Sequence, residues 1–279
     1  MASKENNLSA IEARLRTEPS KLREEIVRDI GRFTVALFGV SRSSEGDHLQ
    51  LARTGTLVTV SGSHYILTAA HVWERVLKHS QKVGITLREN TDHQFLMETS
   101  VITASGPSIP DEWGEWGPDL AFLRVPRERV GAIEAYGRVN FYNLTRERQA
   151  TPAGDHLEIW VLMGAPAAFA ESTQTHTDLQ FTGQFSHIEK YQVRGELDYF
   201  DLSTDVTLPG IPQHFGGVSG GGLWKILISG TTSPEQISWL AVLQGVAFWQ
   251  SSQVNGHRII RCHGPRSISA ALPPAMPSA

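Results

Sequence analysis

Apolar positions along the chain change their period near residue 32. Before it, Leu8, Ile11 and Leu15 recur at helical spacing until Pro19 breaks the run; Leu22, Ile26 and Ile30 then share a second face between Ser20, a capping residue, and Gly31, a stop signal. This spacing predicts a helical arm over residues 1–31. From Arg32 onward the pattern becomes one of short β-branched and apolar runs parted by turn residues, as in "FTVALFGV", "GTLVTV", "HYILTA", "VGITL", "METSVIT" and "LAFLRV". A polar stretch around residues 127–152 separates these from a second set, "LEIWVLMG", "LQFTGQF", "ELDYFDL", "GGLWKILISG", "ISWLAVLQGVAFW" and "HRIIRC". Two sets of about six strands predict an all-β chain of two antiparallel six-stranded β-barrels, over residues 32–140 and 141–264. Residues 265–279, ending in "ALPPAMPSA", read as a disordered tail.

Composition narrows the function more than the fold. With 279 residues, 40% of them apolar, the chain can bury a large core. A net charge of -4 gives no basic field for a phosphate backbone, so nucleic-acid binding is not expected. No run approaches the ~20 apolar residues that cross a bilayer, so no membrane role is expected either. The single cysteine, Cys262, cannot form an internal disulfide, and "MASKENNLSAIEARL" lacks the apolar stretch of a secretory signal, which together predict a cytoplasmic setting. "HRIIRCH" carries His257, Cys262 and His263 at no closed zinc spacing and reads as exposed residues of a last strand; no metal or cofactor is expected.

The chemistry gathers around "GGVSGGGLW", residues 216–224, where one serine stands among five glycines. Such a run can be a tight turn, or a nucleophile elbow, since residues 217–221 also read G-x-S-x-G. A serine hydroxyl needs a histidine base, and that base needs a third group to orient it. In the elbow arrangement the acid and the histidine both follow the serine, but no Asp follows Ser219 and only Glu235 could serve, so the order is wrong. Upstream stand "ILTAAHV", with His71 after a strand, and "GPDLAFLRV", with Asp119 leading into one; Asp111, Glu112 and Glu115 are nearby competitors.

With "GVSGGG" and "LQGVAFWQ", residues 243–250, these stretches resemble the motifs of the trypsin-like (chymotrypsin-fold) serine proteases, in that family's order, over about residues 33–262. The resemblance implies His71 as general base, Asp119 as its orienting acid and Ser219 as nucleophile, with the N–H groups of Gly217 and Ser219 as oxyanion hole. It places Gln213, Phe248, Trp249 and Gln250 along the substrate pocket. The implied activity is that of a cytoplasmic, bacterial serine endopeptidase acting on a protein or peptide; the alternatives are a protease-fold binding module without turnover and an esterase with the same triad. Two departures matter. Neutral Gln213 and Gln250 disfavour Lys or Arg in the pocket. Val218 stands where many members carry an Asp that locks the oxyanion loop, so a glycine-rich loop that flips at low cost is expected, with a partner protein, an oligomeric contact or the substrate itself selecting its active form.

Overall fold

The structure is a computed structural model that describes residues 19–43, 46–88, 90–106, 115–137, 139–145, 156–172, 177–229 and 238–274. Leu8, Ile11 and Leu15 therefore lie outside the described residues. The second half of the arm is helix α1, Pro19–Gly31, and its predicted apolar face is fully buried at Leu22, Ile26 and Ile30.

The N-terminal half is one sheet. Its strands are β1 (Thr34–Ser43), β2 (Gly46–Val60), β3 (Ser63–Thr68), β4 (Lys82–Leu87), β5 (Asn90–Glu98), β6 (Ala104–Ser105) and β7 (Ala121–Arg124). They run in the order β5-β4-β1-β2-β3-β7-β6, every neighbouring pair antiparallel, and the short β8 (Tyr142–Asn143) adds parallel to β2. A short helix, α2 (Ala70–Arg75), follows β3 directly.

The C-terminal half closes. Strands β9 (Leu157–Gly164), β12 (Thr182–Arg194), β13 (Leu197–Asp205), β14 (Gly222–Ser229), β15 (Ser238–Gln250) and β16 (His257–His263) form a closed antiparallel barrel in the order β12-β13-β16-β15-β14-β9, while β10 (Glu171–Ser172) and β11 (Thr177–Asp178) pair as a small ribbon beside it. The two-barrel expectation thus meets one closed six-stranded barrel and a second antiparallel sheet.

Strands such as "GGLWKILISG" read as unbroken apolar runs because both of their faces are covered. On β14, Leu223 points into the barrel core with Leu162, Leu202 and Ile260. Its neighbours Trp224, Ile226 and Ile228 point the other way, into a seam shared with Val58, Tyr65, Leu67 and Phe122 of the N-terminal sheet. Helix α1 fills that same seam with Leu22, Ile26 and Ile30. Each such fully buried side chain stabilises the fold by about 1.5–3 kcal/mol.

Two elements differ from the sequence reading. The polar stretch after residue 126 begins with a helix, α3 (Arg127–Gly137), which buries only Val130 and Ile133, too few apolar positions to set a period. The expected disordered tail begins instead with helix α4, Pro265–Ala270. Its first-turn N–H groups at Arg266 and Ser267 donate to the Asp198 carboxylate at 3.2 and 2.7 Å, and Ile268 is fully buried. The cap comes from β13, so no local capping residue announces this helix.

Candidate active site

Strand register brings the first two candidates together. On antiparallel β3 and β7, Thr68 lies opposite Ala121, so the chain leaving β3 towards His71 passes the chain that enters β7 from Asp119. Buried Ala69 and Ala70 allow the close approach. His71 occupies the first turn of α2, and its backbone N–H donates to Asp119 Oδ1 at 2.9 Å while its Nδ1 lies 2.7 Å from Asp119 Oδ2. An ionised carboxylate can only accept, so Nδ1 carries the proton and Nε2 is left as the basic nitrogen. Asp119 itself is 2% exposed.

The seat of Asp119 includes a residue that spacing alone did not single out. Its N–H donates to Nε2 of His263 at 3.1 Å. His263 ends β16 fully buried, with the Phe248 ring stacked on it at 4.2 Å between centroids, and its Nδ1 has no hydrogen-bond partner among the described residues. Burial lowers its pKa to about 4, partly offset by the Asp119 and Asp198 carboxylates. The reading of Cys262 and His263 as exposed strand residues is therefore corrected: β16 is a barrel strand pressed from both sides. Cys262 packs in the barrel core, where burial pushes its thiol up. Of the competitors for the acid's place, Glu115 lies beside Arg261, at 3.8 Å, and Asp111 and Glu112 fall outside the described residues.

Ser219 and His71 come from different halves of the chain. Both line a cavity of about 260 Å³, with Arg53 and Arg75 from the N-terminal side and Phe215, Val218, Ala247 and Ile260 from the barrel side. Phe248, Trp249 and Gln250 also border it. Gln250 spends its Oε1 on the Phe215 N–H at 2.9 Å, and so braces the loop as well as the wall. Gln213 is not brought to this cavity: Pro212 and Phe215 turn inward on either side of it and leave Gln213 exposed.

The loop around Ser219 is tightly constrained. Gly217 adopts φ +99°, and a Cβ there would meet Ala167 N at 2.5 Å and Ala165 O at 2.6 Å, so only glycine fits. The N–H groups of Gly217 and Ser219 donate to no protein group among the described residues, whereas those of Val218, Gly220 and Gly221 are all used, by the carbonyls of Phe215, Ala247 and Val218. The expected low-cost flip at residues 216–217 meets an obstacle, because the Gly216 carbonyl accepts the Ala167 N–H at 2.7 Å.

No protein-family model and no curated protein matches the chain. Solved structures do, at low identity. A chain from work on the coupled folding and binding of the intrinsically disordered Sesbania mosaic virus VPg protein is 14% identical, with TM-score 0.45, covering 88% of this chain and 92% of that one. A catalytically inactive tobacco etch virus protease complexed with substrate is 11% identical, with TM-score 0.38, covering 85% and 80%. Tobacco vein mottling virus protease is also 11% identical, with TM-score 0.40, covering 88% and 83%. The likeness is one of chain course, and nothing about activity passes from them to this chain. The architecture described above, a closed antiparallel barrel against a second antiparallel sheet, is itself consistent with a two-barrel chymotrypsin-like fold.

Proposed function

We propose that the chain is a serine endopeptidase of the trypsin-like type, with Ser219 as nucleophile, His71 as general base and Asp119 as the acid that orients it. The observation that carries this reading is the doubly hydrogen-bonded Asp119–His71 pair, facing Ser219 across one cavity. Ser219 Oγ attacks the carbonyl carbon of the scissile bond as His71 Nε2 takes its proton. The Gly217 and Ser219 N–H groups receive the developing oxyanion. Protonated His71 then gives its proton to the departing amine, and water, activated by the same nitrogen, hydrolyses the acyl ester on Ser219.

The cavity suits an uncharged side chain. Phe215, Val218, Ala247 and Ile260 supply apolar walls. A peptide library is expected to show cleavage after small or medium apolar or amide residues; dominant cleavage after Lys or Arg would overturn this specificity. The activity itself is tested with a fluorophosphonate probe, expected to label the wild type on Ser219 and to leave Ser219→Ala unlabelled. Peptides should be turned over as well as simple esters. An unlabelled wild type would mean a protease-like shape without the chemistry.

A further inference from the structure

We infer that Thr54, on strand β2 of the opposite half, is the positioning residue that holds the oxyanion loop in its working shape; this rests on the reading of residues 217–219 given above. Thr54 is fully buried, and all of its polar groups are engaged. Its N–H donates to the Ser219 carbonyl at 3.1 Å. Its hydroxyl donates to the Gly217 carbonyl at 2.6 Å and accepts the Ala165 N–H at 3.0 Å. Its own carbonyl accepts the Thr68 hydroxyl at 2.8 Å, and Thr68 closes the strand that leads to His71.

These bonds fall on the two peptide planes that flank Gly217. The plane before it is fixed by Ala167 on the Gly216 carbonyl, and the plane after it by Thr54 on the Gly217 carbonyl. Together they hold φ and ψ of a glycine that would otherwise range widely, and so they aim its N–H. The Ser219 N–H shares its peptide plane with the Val218 carbonyl, which accepts the Gly221 N–H at 2.7 Å, and the Thr54 N–H holds the plane that follows. Val218 can form no ion pair, and its side chain packs instead in the barrel core with Phe215 and Ile260. A neutral hydroxyl from the neighbouring sheet takes over the anchoring. The loop's shape is thus held from within the chain.

Valine matches threonine in outline but lacks the hydroxyl, so Thr54→Val leaves the Gly217 carbonyl and the Ala165 N–H buried without that partner. Misdirecting an oxyanion donor reduces turnover by about 10²-fold. Thr54→Val is expected to slow fluorophosphonate labelling and kcat by about tenfold to a hundredfold, with KM little changed. Thr54→Ser, which keeps the hydroxyl, should restore most of the rate. Thr34→Val, which removes a buried hydroxyl of the same sheet that donates to the Ile30 carbonyl and not to the loop, should label as the wild type does. Amide hydrogen exchange over residues 215–221 should rise in Thr54→Val and not in Thr34→Val. Should the valine variant not fold, Thr54→Cys, with its weak donor, takes its place and should lie between serine and wild type on one side and the lost donor on the other. Wild-type labelling and unchanged loop exchange in Thr54→Val, or equal slowing in Thr34→Val, would overturn the inference. If the wild type itself is not labelled, the protease reading falls and loop exchange alone decides the role of Thr54.

Discussion

At the scale of single residues, the site depends on protons held in fixed places. Asp119→Asn would keep the shape of the pair while favouring the wrong imidazole tautomer, and kcat is expected to fall by about 10⁴-fold in steady-state assays, with the fold intact by circular dichroism. His263 adds a pH dependence of a different kind. Its pKa is lowered to about 4 in the folded chain from an ordinary 6.5, chiefly by burial, so between those values the unfolded chain binds a proton that the folded chain does not. Stability should therefore be unaffected by this group above about pH 6.5 and should fall as pH drops towards 4, by roughly 3 kcal/mol over the window. Urea midpoints measured across that range should flatten in His263→Gln. His71, Asp119 and Ser219 stood out in the sequence because the proposed roles call for those residue types in a recognisable order. His263 was not, because its place depends on both faces of β16 being covered, which no spacing within "HRIIRCH" reveals.

Among the elements, α1 is the one whose removal should be felt most widely. Leu22, Ile26 and Ile30 lie at the seam where the sheet and the barrel meet, so Leu22→Ala should cost about 2–5 kcal/mol in a denaturation experiment while leaving the cavity lining untouched. Loss of activity without loss of stability would contradict this placement. The second half of the arm, Pro19–Gly31, was readable from its 3.6-residue period, and the strands from their apolar runs between turns. Helix α4 was not readable, since its first turn is satisfied by Asp198 from β13 and its helical character is tertiary in origin. Helix α3 escaped for a simpler reason: Val130 and Ile133 alone give a stripe too thin to stand out. Gln213 shows the limit of carrying a pocket position by distance from the nucleophile, because the turn of chain between Pro212 and Phe215 decides which side chains face in.

For the molecule as a whole, the two halves are not separable units, since the seam cluster draws on α1, the sheet, the barrel and α4 together. A calorimetric scan should show one unfolding transition, with calorimetric and van't Hoff enthalpies equal; two resolved transitions would mean that the halves are independent. The two-part β architecture was legible from the two sets of apolar runs, but their mutual dependence was not, because it resides in which face of each strand meets the other half. The seating of Asp119 by His263 has a further consequence, which concerns the order in which a ribosome delivers the parts. A growing chain presents His71 and Asp119 early and Ser219 later, yet the imidazole that receives the Asp119 N–H arrives only with the last barrel strand. Until that strand has been made and has closed the barrel between β13 and β15, Asp119 lacks its seat and the glycine-rich loop lacks the Ala247 carbonyl that β15, once paired, offers to Gly220. On the proposed reading, the nascent protein is therefore expected to stay inert until β16 has been made and has paired.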